Sequence, residues 1–197
     1  MITHIIVRYK RSRTTLLLAA LLAVYSHYNV AATVKADPKL KAKLAQAVSK
    51  STSFTDKFDA QFWLLQKSSS LERFIKDPKE RLDLLQLIHH QATLSDVPPE
   101  FVLAVIEIES GFNQFALSYV GAQGLMQVMP FWKNELGRKE DNLMEVKTNL
   151  KYGCTILKHY YDRAKGDWTE ALARYNGSYG KLKYPIKVMN AWEKHWR

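Results

Sequence analysis

From Asp96 to Gly111 the chain runs Asp-Val-Pro-Pro-Glu-Phe-Val-Leu-Ala-Val-Ile-Glu-Ile-Glu-Ser-Gly. The segment from Asp96 to Pro99 starts a helix, and Gly111 stops it. Between them, Phe101 to Ile106 are six successive apolar residues. A helix that is apolar nearly all round belongs at the centre of a fold, wrapped by other elements. Val102, Val105, Ile106 and Glu109 fall at i, i+3, i+4 and i+7, so Glu109 ends the apolar stripe. Two effects raise a carboxyl pKa there: desolvation disfavours the anion, and the helix C-terminus is the negative end of the dipole. A carboxyl kept protonated near neutral pH serves as a general acid. Glu107, two residues back, points elsewhere. On periodicity alone, a Glu109 solvated at a frayed helix end stands as an equal alternative.

The rest of the body reads as further helices. Phe58, Phe62 and Leu65 lie on one helix face. Asp77-Pro78-Lys79-Glu80 is a helix start, with Asp as N-cap, Pro first and Glu third. Leu82, Leu85, Ile88 and Ala92 keep helical spacing behind it. Residues 112–130 carry Gly121, Gly124 and Pro130 and read as irregular. Val146 to Arg163 is helical, and Gly166 breaks it. Asp167-Trp168-Thr169-Glu170 opens a helix to about Asn176, and Pro185 starts a last one with Val188, Trp192 and Trp196 on a stripe. There is no alternating strand and no internal repeat. The expectation is an all-α domain.

Charge is unevenly spread. The net charge is +10, from 29 basic against 19 acidic residues in 197. Residues 1–36 contain Arg8, Lys10, Arg11, Arg13 and Lys35 and no acid, so half of the excess lies there. The mildly basic remainder argues against a nucleic-acid partner. In residues 1–36 a basic stretch precedes the apolar run Leu16–Val24, and Ala31, Ala32 and Ala36 follow. That is the order of a secretory signal, and the run is about half of what a bilayer-spanning helix needs. An uncleaved anchor is the alternative, and either way the body is exported. Residues 37–53, rich in Lys, Ala and Ser, read as a linker or weak amphipathic helix. The one cysteine, Cys154, excludes an intramolecular disulfide and reads as a buried small hydrophobe. No His-Glu-x-x-His spacing, Gly-x-Ser-x-Gly elbow or phosphate loop is present, so no metal or cofactor is expected.

Three motifs follow one another in order. Glu109-Ser110 ends the apolar helix, Ser118 leads to Gly121-Ala122-Gln123-Gly124-Leu125-Met126-Gln127-Val128-Met129-Pro130, and Ala173-Arg174-Tyr175-Asn176-Gly177 comes later. Together they resemble the soluble (SLT) type of lytic transglycosylase, enzymes that cut bacterial peptidoglycan, within the goose-type lysozyme-like superfamily. The resemblance covers roughly residues 96–180. It implies a lysozyme-like helical domain over 96–197; the residue pattern, not the resemblance, marks 1–36 as signal peptide and leaves 37–95 as an N-terminal helical extension or linker.

By that resemblance, Glu109 is the catalytic acid/base. Ser118, Met126, Gln127 and Met129 line the sugar cleft, Tyr175 hydrogen-bonds near the catalytic carboxyl, and Asn176 helps hold the loop. Ser110 caps or buttresses the helix end. Arg174, Gly177-Ser178 and Phe131-Trp132-Lys133 depart from the family pattern, which bears on glycan preference. The implied reaction joins the muramic C6 hydroxyl to C1, giving a 1,6-anhydro end, and needs no cofactor. Glycosidases ordinarily use two carboxylates, whereas these motifs supply one. A goose-type lysozyme-like hydrolase and a non-catalytic peptidoglycan-binding envelope protein are the alternatives. A second acid among Glu135, Glu140 and Asp141 would favour the hydrolase. The implied partner is the peptidoglycan glycan strand, acted on by a monomer in the periplasm, with recruitment by an envelope or secretion machine left open.

Overall fold

Four carboxylates fold back onto the backbone N–H groups that open four helices. Asp56 accepts from the amides of Phe58 and Asp59, Asp77 from Lys79 and Glu80, Glu145 from Lys147 and Thr148, and Asp167 from Thr169 and Glu170. Each satisfies donors that have no partner inside the helix. The computed structural model describes residues 53–54 and 56–197. Its helices are α1 (Lys57–Leu71), α2 (Pro78–Leu94), α3 (Pro99–Ser110), α4 (Trp132–Leu136), α5 (Val146–Arg163), α6 (Trp168–Tyr175) and α7 (Lys183–Ala191), closed by a π-helical turn, Trp192–Trp196. Among the described residues there is no strand, only two isolated bridges, Leu117–Gln123 and Gln123–Val128. The all-α expectation is met. The expectations for residues 1–36 and 37–52 lie outside the described residues.

Helix α3 is the axle. Val102, Leu103, Ala104, Val105 and Ile106 are each fully buried. They are enclosed by α2, α7 and the π-helical turn, while α5 packs on α2 and α6. Truncating one such side chain, as in Ile106→Ala, removes about 2–5 kcal/mol. Gly111 ends the helix in the left-handed region, at φ 56°, and returns its N–H to the Glu107 carbonyl. Helix α1 shares this core through Ala60, Leu64 and Leu71. Buried Arg81 ties the α1–α2 corner, donating to Ser68 Oγ at 3.0 Å and to the Ile75 and Lys76 carbonyls.

One local expectation is corrected, the start of the last helix, and three details are added. The Phe58, Phe62 and Leu65 face is exposed, with Phe58 81% and Phe62 71% accessible. Periodicity found a stripe, but α2 and the C-terminal turn lie on the other side of α1. The α3 start falls within Asp96–Pro99, at Pro99. Asp96 sits in a turn at φ 54°, and the cap position is Pro98, without a side-chain bond. Helix α7 begins two residues before Pro185, at Lys183. The short helix α4 lies in a stretch read as irregular only to Pro130.

Candidate active site

Glu109 stands on the last turn of α3, partly buried, where two cavities meet. One, of about 230 Å³, is bordered by Ser118, Gln127, Met129, Tyr175 and Asn176, together with Val120, Ala122, Val128, Trp132 and Ile156. The other, of about 340 Å³, is bordered by Ile108, Asn176, Ser178, Tyr184 and three lysines. Glu109 is the only acid among the residues that line either cavity. Burial pushes its carboxyl up to about 7, against a hydrogen bond from Tyr184 that favours the anion. At neutral pH both protonation states are therefore populated, so this carboxyl can both give and take a proton.

The Tyr184 hydroxyl donates to Glu109 Oε1 at 2.6 Å, from seventy-five residues along the chain. Sequence reasoning missed this residue. The only local signal was its place beside Pro185 at the start of a helix whose stripe packs inward. Tyr175 had been expected to hydrogen-bond near the carboxyl. Its hydroxyl donates to the Met126 carbonyl at 2.7 Å, so it anchors the loop while its ring faces the cavity with Glu109. Burial and the proximity of Glu109 keep both phenols protonated well above the ordinary range.

The loop between α3 and α4 is irregular in class but closed by hydrogen bonds. Gln123 and Val128 exchange backbone bonds at 3.0 and 2.9 Å, Gly124 donates to Ala116 at 2.8 Å, and Ser118 donates to Ala122 at 2.9 Å. Ser110 Oγ donates to the Leu125 carbonyl at 2.8 Å, which ties the loop to the turn that carries Glu109. This agrees with its expected buttressing role. Asn149 of α5 does the largest share. Its side-chain oxygen accepts from Met126 N, and its amide donates to the Gln123 and Leu143 carbonyls, all at 2.8 Å. Asn149 is 1% exposed with every polar atom used, and it was not foreseen. Gly124 is at φ 74°, and a Cβ there would collide with the Asn149 amide and the Leu143 carbonyl.

Most of the expected cleft residues gather at the cavity. Ser118 Oγ accepts from Ala122 N, and the Gln127 amide donates to the Ala116 and Gly124 carbonyls, which leaves its side-chain oxygen for a ligand. Met129 and Asn176 also line it. Met126 is the correction. It is fully buried and absent from the lining, with its side chain pressed on Gly153 of α5 where any Cβ would clash. In the Gly-Leu-Met-Gln turn Met126 is buried in the core while Gln127, at a left-handed φ of 48°, borders the cavity.

The acids proposed as second carboxylates stay away. Glu135 faces solvent, Glu140 lies 3.4 Å from Arg138, and Asp141 accepts from Tyr152 at 2.6 Å. Among the described residues no group of three or more His, Cys, Asp or Glu side chains is arranged to hold a metal. Cys154 is fully buried, and its thiol is pushed up to about 12.

Comparison with known proteins follows the same lines. The family model for the transglycosylase SLT domain matches residues 86–195. A transglycosylase of Enterobacteria phage PRD1 is 35% identical over 101 residues, covering 48% of this chain and 37% of that protein. The soluble lytic murein transglycosylase of Escherichia coli K12 is 25% identical over 137 residues, 64% of this chain and 21% of that one. The chain thus spans less than two fifths of the length of these relatives. The crystal structure of the 70-kDa soluble lytic transglycosylase from Escherichia coli aligns with a TM-score of 0.44 at 20% identity, over 75% of this chain and 27% of that one.

Proposed function

Because this chain belongs to the transglycosylase SLT domain family, we propose that it is a peptidoglycan lytic transglycosylase with Glu109 as its catalytic acid/base. Glu109 protonates the glycosidic oxygen between N-acetylmuramic acid and N-acetylglucosamine, and the C1–O bond breaks with its electron pair going to that oxygen. The neighbouring acetamido group stabilises the cationic centre. The Glu109 carboxylate then takes the proton from the C6 hydroxyl of the same muramic residue, and that oxygen closes onto C1. The ring closure exploits the high effective molarity of a tethered nucleophile. Ser118, Gln127, Met129, Tyr175 and Asn176 hold the sugars, and Tyr184 orients the carboxyl. Residues 96–197 carry the chemistry, 37–95 support it, and 1–36 direct export to the cell envelope.

The observation that carries this function is the solitude of Glu109. No second acid borders either cavity, so no side chain there activates water on the far face of the sugar. This disfavours the hydrolase, and the carboxyl held up to about 7 disfavours a non-catalytic binder. Digestion of purified peptidoglycan in ¹⁸O-labelled water tests it. The expected products end in 1,6-anhydro-N-acetylmuramic acid and carry no label. Labelled reducing ends would make the protein a hydrolase. N-terminal sequencing of the mature protein tests export, with a start near Thr33 or Asp37 expected and a retained Met1 in a cytoplasmic fraction opposing it.

A further inference from the structure

The second cavity at Glu109 differs from the first in charge. Lys181, Lys183 and Lys187 line it, with Asn176 and Ser178 beside them. Lys183 and Lys187 are i, i+4 neighbours on α7 and flank Tyr184, the residue that holds Glu109. From Ala171 to Trp192 the chain has four basic residues and no acid. None of the three lysines forms an ion pair or side-chain hydrogen bond among the described residues. Lys181 also borders a neighbouring cavity that contains Asp167 and Glu170. Those carboxylates are engaged, Asp167 capping α6 and Glu170 paired with Arg174 at 2.6 Å. The only acid of the lysine-lined cavity is Glu109, which burial holds partly neutral. Three cations around one recess, with only a partly ionised Glu109 to offset them, match a ligand that carries its own anions.

We propose that Lys181, Lys183 and Lys187 form an anion subsite that receives substrate carboxylates beside the scissile bond, so that the protein selects acidic glycan over neutral glycan. The proposal rests on the function given above. In a peptidoglycan strand such carboxylates come from the peptide stem, or from the lactyl group where the stem has been removed. Both present the same chemistry to an ammonium group. The lysines are exposed, so each contact is modest and salt-sensitive, and the selectivity is their sum.

The test uses the full chain carrying Glu109→Gln, to prevent turnover, and calorimetric binding of defined tetrasaccharides. One bears peptide stems, one bears free lactyl acids, and one has every carboxyl converted to a primary amide. Lys181→Gln/Lys183→Gln/Lys187→Gln in this background is expected to weaken binding of an acidic fragment about tenfold. The control Lys147→Gln/Lys151→Gln/Lys194→Gln, equal in charge change, stays within about twofold. The amidated fragment binds the unaltered lysine site as weakly as the triple variant binds an acidic one. Retention on the lactyl fragment alone identifies the lactyl source, and retention on the stem fragment alone identifies the stem. Equal binding of acidic and amidated fragments, an unaffected triple variant, or no binding of any fragment overturns the subsite. Products of the unmutated protein on whole peptidoglycan report the function separately. Anhydro ends without lysine-dependent binding remove only the subsite, and lysine-dependent binding without anhydro ends removes only the activity.

Discussion

Glu107 and Glu109 stand two residues apart on α3 and meet opposite surroundings. Glu107 turns toward Arg73 at 2.9 Å, His195 Nδ1 at 3.0 Å and Trp196 Nε1 at 2.7 Å. It joins α3 to the end of α1 and to the C-terminal turn, with its charge matched. Glu109 receives one neutral hydroxyl and no cation, in a site that removes water. A helix advances about 100° per residue, so two positions suffice to carry one carboxylate from an ion-pair network to the cavities. The same side chain is a paired ion on one face and a desolvated carboxyl held up to about 7 on the other, and the partners decide which.

The largest expected effect comes from removing the proton of Glu109. Glu109→Gln lowers turnover on peptidoglycan at least ~10²-fold while the protein stays folded by circular dichroism. Near-normal turnover would end the assignment. The same variant sharpens the comparison through stability. A folded-state carboxyl at about 7 against 4.5 unfolded costs the native state about 3 kcal/mol once ionised. That stability is present below pH 4.5 and is lost as pH rises toward 7 and above. Glu109→Gln is therefore more stable than the unmutated protein at pH 8 and about equal at pH 4, measured by urea denaturation. A difference independent of pH would contradict the burial.

Glu107→Ala breaks the other side. Loss of its three partners costs about 2 kcal/mol of unfolding free energy, discounted because Arg73 is 39% exposed, with turnover per folded molecule within about twofold. A kinetic defect as large as that of Glu109→Gln would erase the distinction between the two faces. Tyr184→Phe removes the hydroxyl that favours the Glu109 anion. Turnover falls about tenfold, and the alkaline limb of the pH profile moves upward from about 7. An unmoved limb would mean that the hydrogen bond has no part in setting the acid. Smallest is Tyr175→Phe, which frees the Met126 carbonyl and costs about 1 kcal/mol in a thermal melt.

Much of this molecule was legible where the signal is local. The Asp77 and Asp167 caps, the span Val146–Arg163 and the stop at Gly111 each depend on residues within one turn of each other. Glu109 was legible because a lone carboxylate on an apolar stripe is anomalous within a dozen residues. Whether the Phe58, Phe62 and Leu65 stripe faces the core or solvent was not legible, for the converse reason. Periodicity shows that a face exists, but α1 buries Ala60, Leu64 and Leu71 because α2 and the C-terminal turn approach from that side. Likewise Met126 and Gln127 are neighbours in one motif, yet Met126 packs in the core and Gln127 borders the cavity.

By itself the sequence determined that the body is helical, that α3 is its centre and that Glu109 ends the central stripe. Capping, spacing and hydropathy act over a few residues and need no partner to be read. The tertiary structure alone decided that Tyr184 meets Glu109, that Asn149 fastens the loop, that Met126 is core and that three lysines ring the second cavity. Each of these is a meeting of residues far apart in the chain, and which residues meet is set by how whole helices pack against one another.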